Sequence, residues 1–228
     1  MVLLNCHADN IYNFMMNYSY VIWDWNGTIV DDAQLCVDIV NRQLISYDLN
    51  EVTLDYYVNN FRFPVRSYYK RVGLPTDTLN YSKIAAYFIN EYRKRYKFCN
   101  IHQGAIECFN KLNICGVNQS VLSASMESDL YAFILHFKLN NQFTHFSGTS
   151  DIFASGKSNI SIEHLKKLNS NNLNVLLVGD TLHDAEVAQK LDVDCLLFSG
   201  GHNSREILSE SNYQIVDSFN EIYQYILD

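Results

Sequence analysis

Ser19-Tyr20-Val21-Ile22-Trp23-Asp24-Trp25-Asn26-Gly27-Thr28 is the stretch that decides the fold of this 228-residue chain. A short β-rich run ends at an aspartate, a glycine follows, and Ala33, Val37, Val40 and Leu44 then recur at helical spacing. The order is that of a strand, a tight loop and a helix. Gly27 lets the backbone turn sharply just after the strand.

Working outward, strands of the same buried type are expected at Ser120 to Ser123, Asn174 to Val178 and Cys195 to Phe198. Helical stretches such as 157–168 and 182–191 flank them. The alternation implies an α/β protein with a Rossmann-like parallel sheet. Between the first strand and Gln119 the alternation breaks, with helical stripes such as Ile84, Phe88, Tyr92 and Tyr96 and no convincing strand. Pro64 and Gly73 punctuate that region. The expected organisation is a core domain of residues 1–33 and 105–228 carrying a small all-helical cap domain, residues 34–104.

Composition agrees with a folded globular chain. Hydrophobic residues make up 48% and charged residues 18%, with only two prolines and nine glycines. The formal net charge of -8 supplies no basic surface for a phosphate backbone, so no nucleic-acid partner is expected. Six scattered cysteines with no CxxC pair are expected to be reduced thiols in a soluble, cytoplasmic protein, Cys108 and Cys115 packing as small hydrophobes. Neither a secretory signal nor a long apolar run stands out, so no membrane partner is expected. Residues 1 to 18 precede the first strand, and Met15 or Met16 is a candidate start of translation.

Parallel sheets bind ligands where loops leave the carboxyl ends of their strands. Asp24, Ser123 and Asp180 end strands there, and Lys157 opens a helix after Gly156. These residue types suit phosphoryl transfer, which needs a nucleophile, countercharge for the phosphoryl oxygens and usually a hard cation. Asp24 and Asp180 can share a Mg2+ ion, one Asp24 oxygen binding the metal while the other attacks phosphorus. Ser123, the backbone N–H at Ala124 and the Lys157 ammonium can hold the phosphoryl oxygens. Asp184, one helical turn beyond Asp180, can steady the metal's waters or pair with Lys157.

In order and spacing, Asp24-Trp25-Asn26-Gly27-Thr28, Ser123, Lys157 and Gly179-Asp180 with Asp184 resemble the four motifs of the haloacid dehalogenase superfamily. The helical insert resembles that superfamily's cap, and the resemblance extends from about Ser19 onward, nearest to its phosphoglycolate phosphatase-like branch. It implies a magnesium-dependent phosphatase acting on a small phosphorylated metabolite through an aspartyl phosphate on Asp24. The implied site has Asp24 and position 26 as catalytic, Trp25, Ser123, Ala124 and Lys157 around the phosphate, and Asp24, Asp180 and the carbonyl of Asn26 on the metal. Asp184 and Thr181 stand behind them.

Position 26 departs from the pattern. The superfamily's phosphatases usually carry there an aspartate that protonates the leaving group, whereas the amide of Asn26 cannot carry a proton. A positioned acid/base is worth about 10²- to 10⁴-fold, so slow or specialised turnover is expected. His183 or His202 is a candidate substitute. A catalytically weakened phosphometabolite binder or regulator is the alternative from a different class. A sugar-phosphate mutase would need a proton carrier at position 26, and a dehalogenase would not need the Asp24 and Asp180 metal pair. Arg62 and Arg66, with Lys70, are candidates to grip a substrate carboxylate or second phosphate; an ordinary solvated helix face is the alternative.

Overall fold

In a computed structural model the described residues are 17–153, 156–168 and 174–227. Met15, Met16 and Cys6 lie outside them. The strand Tyr20–Trp23 (β1) is buried along its whole length because it sits at the middle of a six-stranded parallel sheet. Its companions are Asn118–Met126 (β4), His145–Thr149 (β5), Val175–Gly179 (β6), Asp194–Phe198 (β7) and Gln214–Val216 (β8), in the order β5-β4-β1-β6-β7-β8. Alternate residues of β1 feed two separate cores. Val21 and Trp23 join one apolar cluster, Tyr20 and Ile22 the other, as the two-residue period of a strand requires.

Between β1 and β4 lie the helices Ala33–Ser46 (α1), Leu54–Asn60 (α2), Val65–Arg71 (α3) and Thr78–Arg95 (α4). Thr53 caps α2 by accepting from the Tyr56 N–H, and Asp77 caps α4 by accepting from the Asn80 N–H. This segment is not wholly without strands. Val30–Asp31 (β2) and Asn100–Ile101 (β3) pair antiparallel, joining the start of the insert to its end. Two-residue strands show no periodicity in sequence, so the ribbon escapes a pattern search. The remaining helices are Ala105–Ile114 (α5), Glu127–His136 (α6), Ser158–Lys167 (α7), Leu182–Leu191 (α8), Arg205–Leu208 (α9) and Phe219–Leu227 (α10). Among the described residues no helix is long and apolar enough to cross a membrane.

Register positions the site. Trp23 stands level with Val121 of β4 and Val178 of β6, so Asp24 leaves the sheet beside the carboxyl end of β6 and the middle of β4. The chain runs from β1 outward through β4 and β5, then returns to the other side of β1 with β6. That reversal opens a crevice at the centre of the sheet, where ligands bind in such folds.

Candidate active site

Three carboxylates converge in the crevice. Asp24, Asp180 and Asp184 each offer an oxygen, and these atoms lie within 4.8 Å of one another. Lys157, only 2% exposed, reaches into the cluster: its ammonium donates to Asp24 Oδ1, pairs with Asp184 Oδ1 at 2.6 Å and donates to the Leu122 carbonyl at 3.0 Å. Asp184 also caps α8, accepting through Oδ2 from the Thr181 N–H at 3.0 Å and the Thr181 hydroxyl at 2.7 Å. The sequence alternative of pairing with Lys157 is thus realised, while Asp184 also remains close enough to share a cation with Asp24 and Asp180. Thr181 supports that carboxylate.

Charge balance within the cluster is unequal. Burial raises the pKa of Asp24 well above the carboxylate range; Lys157 opposes the shift and the carboxylates of Asp184 and Asp180 reinforce it. Asp180 is pushed up to about 6 by burial, against the pull of His202 and with the repulsion of Asp184. For Asp184 burial acts in the same direction, but the Lys157 ammonium overrides it and holds the carboxyl below its ordinary value. One ammonium therefore does not neutralise three buried carboxylates. Their oxygen-only donor set fits a hard divalent cation, which would restore the ionised form of Asp24 and Asp180.

Asp180 is gripped through both carboxylate oxygens. Thr28 Oγ1 donates to its Oδ1 at 2.7 Å, and the backbone N–H of His202 donates to its Oδ2 at 2.6 Å. A Cβ on Gly27 or on Gly201 would stand 2.2 Å from the same Oδ2. Gly27 also has φ +78°, so it is required twice, for its turn and for its lack of a side chain.

Asn26 is fixed rather than free. Its amide donates to Asp32 Oδ2 at 2.7 Å and to the Tyr92 hydroxyl of α4 at 2.8 Å, while its oxygen accepts from Ser125 Oγ at 2.8 Å. Asp32 also accepts from Gly27 N–H at 2.8 Å and Tyr92 hydroxyl at 2.7 Å, and it faces His202 Nε2 at 3.3 Å. Burial disfavours charge on both partners, yet their attraction prevails: Asp32 titrates below its ordinary value and His202 is raised to about 9. Asp32 and Tyr92 were not legible as site residues, because each is an ordinary cap or stripe residue in sequence, and Thr28 stood in the first motif without a role of its own.

The other expected residues fall into two groups. Ser123 is buried and its Oγ accepts from Ser125 N–H at 3.0 Å, leaving the hydroxyl proton to donate. Ser123, Ala124 and Ser125 all line the cavity above the carboxylates. Trp25 is buried against Phe137 and does not line it, so any phosphate contact falls to its backbone. His183 receives the backbone N–H of Lys157 on Nε2 at 3.0 Å and packs at a tilt against the Phe63 ring, which gives it a positioning task.

Arg62 and Arg66 are turned to other partners. Arg62 donates to its neighbour's carbonyl at Phe61 and pairs with Glu210 at 3.5 Å; Arg66 donates to the Thr76 carbonyl and lies over the Tyr81 ring. Neither, nor Lys70, lines the cavity. Each guanidinium is directed to a backbone carbonyl, and Arg62 also to Glu210, which favours the alternative of an ordinary solvated face over a substrate grip.

A central parallel sheet with an acidic cluster and a buried lysine at its carboxyl edge defines a Rossmann-like α/β architecture. The profile of the haloacid dehalogenase-like hydrolases matches residues 21–198, and the chain belongs to that family. No curated protein matches the sequence. A predicted phosphatase from Clostridium acetobutylicum is similar in structure, with 21% identity, a TM-score of 0.79, and 92% of this chain and 98% of that one covered. A predicted phosphoglycolate phosphatase from Haemophilus somnus superposes at a TM-score of 0.73 with 15% identity, covering 92% and 98%. Protein tyrosine kinase A of Mycobacterium tuberculosis superposes at 0.74 with 18% identity, covering 92% and 98%. The fold is thus shared by proteins described with different activities.

Proposed function

We propose that the protein is a magnesium-dependent phosphatase that hydrolyses a small phosphomonoester through an aspartyl phosphate on Asp24. The observation that carries this reading is the convergence of Asp24, Asp180, Asp184 and Lys157 at the carboxyl ends of the central strands. Asp24, Asp180 and the carbonyl of Asn26 would hold the cation, with Asp184 at hand. When bound, Mg2+ supplies countercharge to the buried carboxylates and to the phosphoryl oxygens.

Asp24 forms a bond to phosphorus as the ester P–O bond breaks, and the leaving oxygen takes the electron pair. Ser123, the Ala124 backbone and Lys157 hold the phosphoryl oxygens while charge develops on them. Water then releases phosphate and regenerates the carboxylate. Asn26 orients the loop but has no proton to give, its amide being held between Asp32 and Tyr92. The two histidines that could replace it are engaged, His202 by Asp32 and Tyr57 and His183 by the Lys157 N–H, so the leaving oxygen takes its proton from water.

Inorganic phosphate release from a panel of phosphomonoesters tests the reading. Release that disappears with a chelator and returns with magnesium is expected; no release from demonstrably folded protein would sink it. Asn26→Asp separates a slowed enzyme from a binder. The introduced carboxyl would stand against Asp32, so repulsion keeps it protonated and able to donate. We expect release to rise by about 10²-fold at neutral pH. An unchanged rate would mean that proton supply is not what limits the site.

A further inference from the structure

The cavity above Asp24 is walled by the insert and by the loops after β4 and β5. Its volume of about 130 Å³ is comparable to the roughly 150 Å³ that admits a benzene molecule. Its polar end holds Asp24, Asn26, Ser123 and Lys157. Away from that end the wall is aromatic and aliphatic, with Phe63, Tyr81, Phe88, Ile89, Phe133 and Phe153 among the lining residues.

Each cation on the wall is already engaged. Lys157 serves Asp24 and Asp184, and His202 faces Asp32. Arg93 is held by Asp129 through two hydrogen bonds, at 2.8 Å and 3.0 Å. A second anionic group on the substrate would find no unpaired cation among the described residues, and would meet the carboxylates of Asp129 and Asp151 on the same wall. Burying an unpaired carboxylate against apolar rings is strongly unfavourable.

Proton supply points the same way independently of shape. Asn26 has no proton to give, His202 is tied to Asp32 through Nε2 and to Tyr57 through Nδ1, and His183 accepts the Lys157 N–H on Nε2, so the departing oxygen meets no unengaged acid among these three. A phenolate, whose conjugate acid titrates near about 10 like a tyrosine, leaves readily without one; an aliphatic alkoxide is far more basic and does not.

We infer that the substrate is the phosphate monoester of an uncharged aromatic hydroxyl compound, an aryl phosphate, rather than a phosphorylated carboxylic acid. The inference rests on the phosphatase reading and narrows it. In the reaction the Asp24–phosphorus bond forms as the phosphorus–phenolic oxygen bond breaks, the phenolate takes a proton from water, and a second water converts the aspartyl phosphate to inorganic phosphate. The cavity holds the ring while the phosphoryl group meets Lys157 and Ser123.

The test compares phenyl phosphate, benzyl phosphate and phosphoglycolate in the presence of magnesium. Phenyl phosphate should exceed phosphoglycolate at least about tenfold in kcat/KM, and should exceed benzyl phosphate about 100-fold in kcat. In Asn26→Asp the gap between phenyl and benzyl esters should narrow. Ile89→Lys, a half-buried change that puts a cation on the wall, should move preference toward phosphoglycolate. Turnover favouring phosphoglycolate in the unaltered protein would overturn the inference while leaving the phosphatase reading intact. If no ester is turned over, the phosphatase reading fails by itself. Calorimetric binding of benzylphosphonate against phosphonoacetate then decides the ligand class: tighter phosphonoacetate, or no binding of either, overturns the inference.

Discussion

Asp24→Asn should lower magnesium-dependent phosphate release by at least about 10³-fold, to the blank, while leaving the protein folded and no less stable. The first half follows from chemistry, since an amide oxygen neither attacks phosphorus usefully nor leaves as a carboxylate from an acyl phosphate. The second half follows from the raised pKa of Asp24. A carboxyl whose folded pKa lies above its unfolded value makes the fold less stable once it ionises, so a neutral isostere removes that penalty. Loss of the hydrogen bond to Lys157 is offset because the ammonium keeps Asp184. Thermal unfolding in chelator at pH 7 should give a Tm equal to or above that of the unaltered protein. A large fall in Tm would show that Asp24 is a structural carboxylate.

Lys157→Met should have the largest effect on stability. The substitution keeps an apolar stem and removes the ammonium that, among the described residues, meets both Asp24 and Asp184, each buried beneath the insert. Removing one partner of a buried pair costs about 3–5 kcal/mol, which for a chain of this size is about 6–20 °C in Tm. The pH dependence gives the cause. Asp184 is held below its ordinary pKa, so its contribution is present above that value and is lost as pH falls through the folded pKa. Without Lys157 burial dominates and the carboxyl takes up a proton more readily. The deficit should therefore be greatest near pH 7 to 8 and shrink toward pH 5. Magnesium should recover part of it by supplying the missing positive charge. A small deficit independent of both pH and magnesium would show that Lys157 contributes packing only.

Local pattern carried the central sheet but not its margins. The run Val175–Gly179 is fully buried and apolar, and such a run is visible without neighbours. The edge strand His145–Thr149, with serine and glycine within it, is only partly buried and has no apolar alternation to betray it. Gln214–Val216 is three residues long, and the ribbon of β2 and β3 has two residues a side. Such elements exist because a partner strand is already in place.

The site divides along the same line. Asp24, Ser123, Lys157, Asp180 and Asp184 stand at strand ends and helix starts, and the sequence by itself determined that they form an ordered set of motifs on a parallel sheet. Backbone period and loop position place them at the edge of the sheet, and the family resemblance supplies their order as motifs. Only tertiary structure decided who partners whom. Thr28 meets Asp180 across 152 residues, and His202 meets Asp32 from another part of the chain. Arg62 and Arg66 looked like substrate ligands in one dimension, but neighbouring carbonyls and Glu210 take their charge. The engaged cations and aromatic wall of the cavity arise where the insert closes over the sheet. Side-chain charge is written in sequence, whereas its neutralisation depends on what folding brings within hydrogen-bond reach.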